Sequence, residues 1–523
     1  MQTSDFKRER DFRGKAPPSD KFLKKSVVIK LEKGGKGMDN YPLVRKGLVV
    51  GIILLFIGTG IIPSTAHNIE KSSLTTLRNS TLYVGGDGPN NYTKIQDAID
   101  NASAGDTVFV YNGTYYENIV VEKTITLIGE NRTTTIIDGS ENDNVVFIKA
   151  NETTVRQFTI SNGGEGIENA GIFLLQSDEN NINENIISHN KGNGVLSHYS
   201  RKNTYSGNTV ASNNYYGFNI RDSNQTIILN NTVIENLEAG IVMVDSNQVV
   251  IENNSVSTAT FEGIGLWRCK ESVVEHNTVT QTNFSAIFLY FSERIFLANN
   301  KLGHNYQHGL LFDTSSNNTI WSNTICENTL SGIEIDQSSR DNLFCYNLVN
   351  NSINAYDAGD NTWNRPYPGG GNYWSDFLGS DAMNGPQQDI PGPDGVGDAP
   401  YQILGGSNQD QYPLMSPYGM TQLAFTFHGG VGFSGTITNV GNTTAFMVCF
   451  GGIVEGGFVF FGRLSLLVVP KPLLPGEEVI VKSRMIFGFG KILLTIAVYA
   501  DNAPLMMETA SGTLILFFIV GLH

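Results

Sequence analysis

The chain has 523 residues, 40% of them hydrophobic, with 56 glycines, four cysteines and a formal net charge of −15. Four thiols in so long a chain exclude a disulfide scaffold. The acidity argues against nucleic acid or anionic lipid as a partner and favours solubility and cation binding.

The charge is unevenly spread. Residues 1–46 hold 13 Lys or Arg against 6 Asp or Glu, leaving 22 basic and 44 acidic residues and a charge near −22 on the remainder. Behind this basic lead, residues 47–62 form an uncharged apolar run of 16, followed by Pro63 and the small triplet Ser64-Thr65-Ala66. A basic flank, a short apolar stretch and small residues predict an export signal cut after Ala66. A retained membrane anchor is the alternative, although 16 residues fall short of the roughly 20 that span a bilayer. Either way residues 1–66 are a lead and the body is extracellular or at the cell surface, touching a membrane only through this segment if it stays. The lead before the run is long for a signal, so Met38 competes with Met1 as the start.

Residues 67–170 read as a cap and entry strands. Thr93–Ala102 places Ile95, Ala98, Ile99 and Ala102 on one helical face, suited to covering an open core. The stretch after it is β-rich but irregular.

Residues 171–360 repeat. Glycine or alanine recurs every 23 residues at Gly171, Gly194, Gly217, Gly240, Gly263, Ala286, Gly309, Gly332 and Ala355, and Asn185, Asn208, Asn231, Asn254, Asn277, Asn300 and Asn323 keep the same step. The residue after each glycine is apolar, as in Ile172, Val195 and Phe218, and so is the second residue past each asparagine, as in Ile187, Val210 and Val233. A third patch, such as Thr226-Ile227-Ile228, lies between them. β-branched columns without a 3.6-residue spacing predict short strands, three to a rung. Rungs that cannot bury their apolar face alone must stack. A leucine-rich repeat would require a leucine frame and an outer helical segment that these rungs lack. The asparagines are expected to take left-handed backbone at a corner and to bond rung to rung. Ser177, Ser200, Ser223, Ser246, Cys269, Ser292, Ser315 and Ser338 form another turn column. Cys326 and Cys345 are out of rung register, so all four cysteines read as free thiols.

The opening YTKIQDAIDNASAGDTVFVYNGTYYENIVV and the 23-residue rungs resemble the pectin-lyase-like right-handed parallel β-helix proteins, and more narrowly the NosD-like group of exported β-helix proteins. The likeness covers roughly residues 81–415 and implies an all-β, right-handed parallel β-helix. The Gly, Pro and Asp-rich stretch 361–420 is similar to the terminal segment of secreted NosD-like proteins. Residues 421–523 alternate β-rich runs with Gly and Pro turns and resemble an immunoglobulin-like adhesion β-sandwich, with TLILFFIVGL expected as its buried closing strand. The NosD resemblance also implies copper, which needs soft or imidazole ligands. The eight histidines do not cluster in sequence or by rung, so a copper site is not expected.

Within a strand, the second and fourth residues past each glycine point away from the core. Down the stack the fourth position gives His198, Arg221, Trp267, Tyr290, Asp313 and Asp336, while the second gives Phe288 and Glu334. Trp267, Phe288 and Tyr290 are expected to form an aromatic platform with Arg221 and His198 on one side and the carboxylates Asp313, Glu334 and Asp336 on the other. Flat rings beside carboxylates suit sugars, so the partners expected are polysaccharides or glycoprotein glycans, and no nucleic acid. The surface also reads as a plain solvated face with scattered aromatics; beside that, three functional readings stand: a non-catalytic glycan-binding or envelope and adhesion component; a polysaccharide lyase or glycoside hydrolase using the three carboxylates; and a copper accessory protein. The chain has no Asp-Asp pair or Gly-His-Gly turn on these strands, which disfavours the enzyme. Asp381, Asp389, Asp394 and Asp398, near the PDGVGD turns, offer hard oxygen ligands, and calcium is the cation such a loop would take; the full Asp-x-Asp-x-Asp-Gly frame is missing, so a plain acidic glycine loop is the alternative.

Overall fold

The structure is a computed structural model and describes residues 80–522. The basic lead, the apolar run 47–62 and the proposed cleavage point lie outside the described residues. None of the described helices is long and apolar enough to cross a membrane.

From Thr81 onward the chain winds into three parallel sheets of 13, 11 and 12 strands. In each regular rung the strand that follows the glycine, such as Ile264–Trp267, lies on what we call the glycine face. The next, such as Val273–Glu275, lies on the middle face, and the strand after the asparagine, such as Thr278–Thr280, on the asparagine face. Pairing follows the repeat, with Ile241 opposite Ile264 and Ile264 opposite Ile287. The two columns read from the sequence are the core: Ile172, Val195, Phe218, Ile187, Val210 and Val233 are completely buried. Each such side chain stabilises by about 1.5–3 kcal/mol. The glycine column is a close-approach site. A Cβ on Gly263 would stand 2.2 Å from Val279 Cγ1 and 2.9 Å from the carbonyl oxygen of Ala286, so these neighbours would have to shift.

The asparagines do form a ladder, though in a different conformation from the one expected. Asn231 donates from both its backbone N–H (2.9 Å) and its amide (3.0 Å) to Asn254 Oδ1, and the Asn254 amide donates to the carbonyl of Ile228 at 2.9 Å. The left-handed residue is the one before each asparagine, as at Asn230 (φ 57°), Asn253 (φ 55°) and His276 (φ 57°). That twist turns the following amide inward, where it satisfies buried backbone groups of two rungs. Two further columns do the same work, Asn190–Asn213–Asn236 and Asn180–Asn203. In the serine column Ser339, not Ser338, accepts the Ser315 N–H, because the last rung is one residue longer.

The helix Ile95–Asn101 buries Ile95, Ala98 and Ile99 over the open end of the core. At the other end the winding continues past Asp360 to Tyr373–Trp374, which pairs with Leu348–Val349. Asn372 ends the main ladder, and the buried Asp410 carboxylate accepts hydrogen bonds from the Asn372 and Tyr412 backbone N–H groups and from Trp374 Nε1. Trp363 stacks on Phe344 and Trp374 on Tyr401, closing the core. None of the four cysteines is in a disulfide, and burial pushes the Cys269 thiol up to about 12.

Residues 423–520 form one seven-stranded antiparallel sheet that folds over its own core. Leu423–Asn439 and Cys449–Phe461 are not ladder neighbours, yet the Phe433 and Phe450 rings lie 5.7 Å apart across the layers. The sheet meets the solenoid at Asp501, which accepts a hydrogen bond from Tyr346 Oη and forms an ion pair with Arg365. The expected closing strand is present as Ala503–Leu516 and Phe518–Val520, but it is not buried throughout. Leu514 and Ile519 face the core, while Ile515, Leu516, Phe518 and Val520 are exposed.

Candidate functional site on the glycine face

The outer surface of the glycine face carries the expected side chains in register: Arg221 opposite Val244, Val244 opposite Trp267, Trp267 opposite Tyr290 and Tyr290 opposite Asp313. The rings meet, but not as a flat platform. Trp267 and Tyr290 are edge to face at 6.2 Å, Phe288 and Tyr290 are tilted at 5.9 Å, and Phe288 is 5% exposed, a floor rather than a contact surface. Packing neighbouring rungs about 4.8 Å apart leaves no room for large rings to lie parallel in one plane.

His198 and Arg221 are neighbours, separated from Trp267 by the Val242 and Val244 rung. The His198 ring stacks on Tyr199 with its Nε2 3.4 Å from Asp222, while Arg221 donates to Asn219 and lies 3.5 Å from Glu168.

The three carboxylates separate. Asp336 is taken up by its own turn, accepting hydrogen bonds from the Thr314 and Ser339 backbone N–H groups and the Ser339 hydroxyl. Asp313 accepts a hydrogen bond from the Thr314 hydroxyl. Glu334 instead joins a cluster that the sequence reading missed. His308 Nδ1 lies 2.7 Å from Ser331 Oγ, Ser331 donates to Glu334 Oε2 at 3.2 Å, and His308 and Glu334 are 4.0 Å apart. Burial holds the His308 imidazole down to about 4, so it is neutral near pH 7, and burial raises the Glu334 carboxyl.

The same line of positions, immediately before each glycine, holds Glu262 and Ser285 in the preceding rungs. Glu262 is 4% exposed and reaches over Gly265, where a Cβ would come within 2.6 Å of its Oε1 and 3.1 Å of Trp267 Nε1. The glycine at 265 therefore makes room for a carboxyl beside the indole. Trp267 Nε1 and Ser285 Oγ are buried without a hydrogen-bond partner in the protein. Strict alternation would turn the residue before the glycine inward, so spacing alone could not find this line; the ladder skips the glycine position, as between Ser285–His308 and Ile287–Leu310, and that break brings these side chains to the outer surface. Just ahead of these strands, the turns hold a shallow polar groove of about 760 Å³, lined by His304, Tyr306 and Glu327 among others.

The aspartates of the 381–398 loop accept hydrogen bonds from the loop itself. Asp381 takes the backbone N–H groups of Asp394 and Gly395, Asp398 those of Ala382 and Met383, and the buried Asp394 takes Tyr367 Oη and the Val396 N–H. Asp389 is exposed. Among the described residues the one set of three or more potential metal ligands within 4.8 Å of each other is Glu252, Glu275 and His276, on the middle face and its following turn.

These features define a class: a three-faced parallel β-helix with a ring, carboxyl and hydroxyl site on the outside of one face. Residues 233–379 match the family model described as periplasmic copper-binding protein NosD, and residues 58–247 and 143–285 match that of the right handed beta helix region. These matches and the three-sheet winding support a NosD-like right-handed β-helix family for the solenoid. None of the curated proteins matches the chain. Among solved structures it is similar to the A-module of the Azotobacter vinelandii mannuronan C-5 epimerase AlgE6, at 18% identity over 51% of this chain and 92% of that one, TM-score 0.43. It is also similar to the Dettilon tailspike protein, at 13% identity over 81% and 79%, TM-score 0.45. PfbA, a surface adhesin of Streptococcus pneumoniae, gives 13% over 51% and 85%, TM-score 0.43. At these identities the likeness is one of winding alone.

Among the described residues the one candidate donor set, Glu252, Glu275 and His276, supplies one imidazole and two carboxylates, a nitrogen and oxygen set without the sulfur that selects Cu(I). Cys269, the thiol nearest in register, is buried in the serine column.

Proposed function

We propose that this is an exported β-helix protein that binds glycan chains along its glycine face without turning them over, as a surface or envelope component. The observation that carries the reading is the placement of Trp267 and Tyr290 beside the buried Glu262 carboxyl, with an indole N–H and a serine hydroxyl left without protein partners. Ring faces take the C–H side of a sugar, while the indole N–H and the serine hydroxyl lie beneath that surface and become available to hydroxyls only if the Trp267 side chain turns. Export is supported by the periplasmic description of the matched family and by the apolar run at 47–62. The test is affinity electrophoresis through acidic and neutral polysaccharides. Retardation by at least one glycan, lost with Trp267→Ala, supports the reading, and no retardation by any of them removes it.

A second reading is favoured by one observation: Glu334, with a raised carboxyl pKa, and the neutral His308 share Ser331. Such a pair can donate and accept a proton in glycoside cleavage or elimination. Product release from a polysaccharide, abolished by Glu334→Gln, would establish it. Asp336→Asn would be a poor probe, because that carboxylate caps a turn.

A further inference from the structure

We infer that the far end of the C-terminal sheet is a lipid-docking tip for an anionic membrane surface. The strand Phe487–Ala500 leads at one end to Asp501, held by the solenoid, and at the other to Phe487, roughly 45 Å away at about 3.4 Å per residue. At that distant end Phe458 is 72% exposed, Phe460 63%, Phe461 49% and Phe489 48%. They form one ring cluster, with Phe458 6.1 Å from Phe489, Phe460 5.6 Å from both Phe487 and Phe489, and Phe461 5.5 Å from Phe487. Successive residues Ile515 and Leu516 add 53% and 52% exposure beside them.

The occupant follows from shape, backbone and charge. Adjacent residues are bare together at Phe460-Phe461 and Ile515-Leu516, so the end is an apolar prominence rather than a face or groove for one protein surface. Its ladders run to the tip, from Cys449 opposite Tyr499 out to Phe461 opposite Phe487, with register breaks at Gly456–Phe458 and Val459–Phe461, and Gly488 pairs with Leu516, so most of its backbone outside those two breaks is paired on entry into a membrane interface. Within residues 449–463 and 482–493 the exposed basic side chains are Arg463, Lys482, Arg484 and Lys491, and the one acid is Glu455. In a chain of net charge −15 this end is locally cationic, the reverse of what the overall acidity implies, and aromatic rings collared by basic residues match an anionic headgroup layer.

Because the run 47–62 could hold the full chain on vesicles by itself, the measurement must report on the tip. Phe458→Trp in the full chain places an indole there. With vesicles of phosphatidylcholine and phosphatidylglycerol carrying nitroxide-labelled acyl chains, its emission should shift to the blue and be quenched, relative to the parent chain. The blue shift and quenching of this indole should be roughly tenfold weaker on phosphatidylcholine alone, and that difference should vanish in Arg463→Glu/Arg484→Glu/Lys491→Glu. Absence of quenching on either vesicle overturns the proposal, as does self-association that shields the new indole without lipid, which would make a second copy the occupant.

Discussion

The solenoid and the C-terminal sheet are both all-β and joined at one end, yet they treat apolar side chains oppositely. In the solenoid the two inner columns are fully buried and the corners are sealed by stacked amides. In the C-terminal sheet one end packs on the solenoid while the other exposes a phenylalanine cluster. The difference teaches where energy resides in each. Rung stacking satisfies inward groups by repetition, whereas an irregular sheet can leave apolar residues outside at little cost to its own core, available for a partner.

That contrast is broken most severely at the ladder. Asn254→Ala removes the acceptor for two Asn231 donors and a donor to Ile228, and should cost about 3 kcal/mol or more, read as a lower denaturant midpoint. Phe458→Ser, at an exposed site, should change stability by no more than about 0.5 kcal/mol. A large loss there would mean that the tip is core. Asp410→Ala should cost about 2–3 kcal/mol, since it strands the Asn372, Trp374 and Tyr412 N–H groups in the C-terminal cap.

Smaller effects sharpen the reading of the glycine face. His308 is held down to about 4 from 6.5, so the unfolded chain takes up the proton first. Stability should therefore fall as the pH drops from 6.5 towards 4, by on the order of 2 kcal/mol, and His308→Asn should flatten that slope. Glu334 acts with the opposite sign: its raised pKa gives stability that is present below its ordinary value and lost as the pH rises through the folded one. Trp267→Ala should weaken glycan binding roughly thirtyfold while leaving the fold in place, as circular dichroism would verify. The smallest effect is expected from chelators. The carboxylates of Asp381, Asp394 and Asp398 already accept hydrogen bonds from their own loop, so EDTA should leave the thermal midpoint unchanged.

What the sequence by itself determined is the winding. A 23-residue step in glycine, asparagine and paired β-branched columns can be satisfied only by stacking, and it placed Ile172, Ile187 and their repeats inside and Trp267 and Tyr290 outside. Tertiary structure alone decided how the outward residues meet. The ring angles, the capture of Asp336 by its turn and the joining of His308, Ser331 and Glu334 depend on side-chain directions across rungs, which a spacing does not encode. The same holds for the phenylalanine tip. Its residues come from separate strands with no common period, and their exposure follows from where the sheet ends, whereas a hydrophobic run in sequence reads equally well as core.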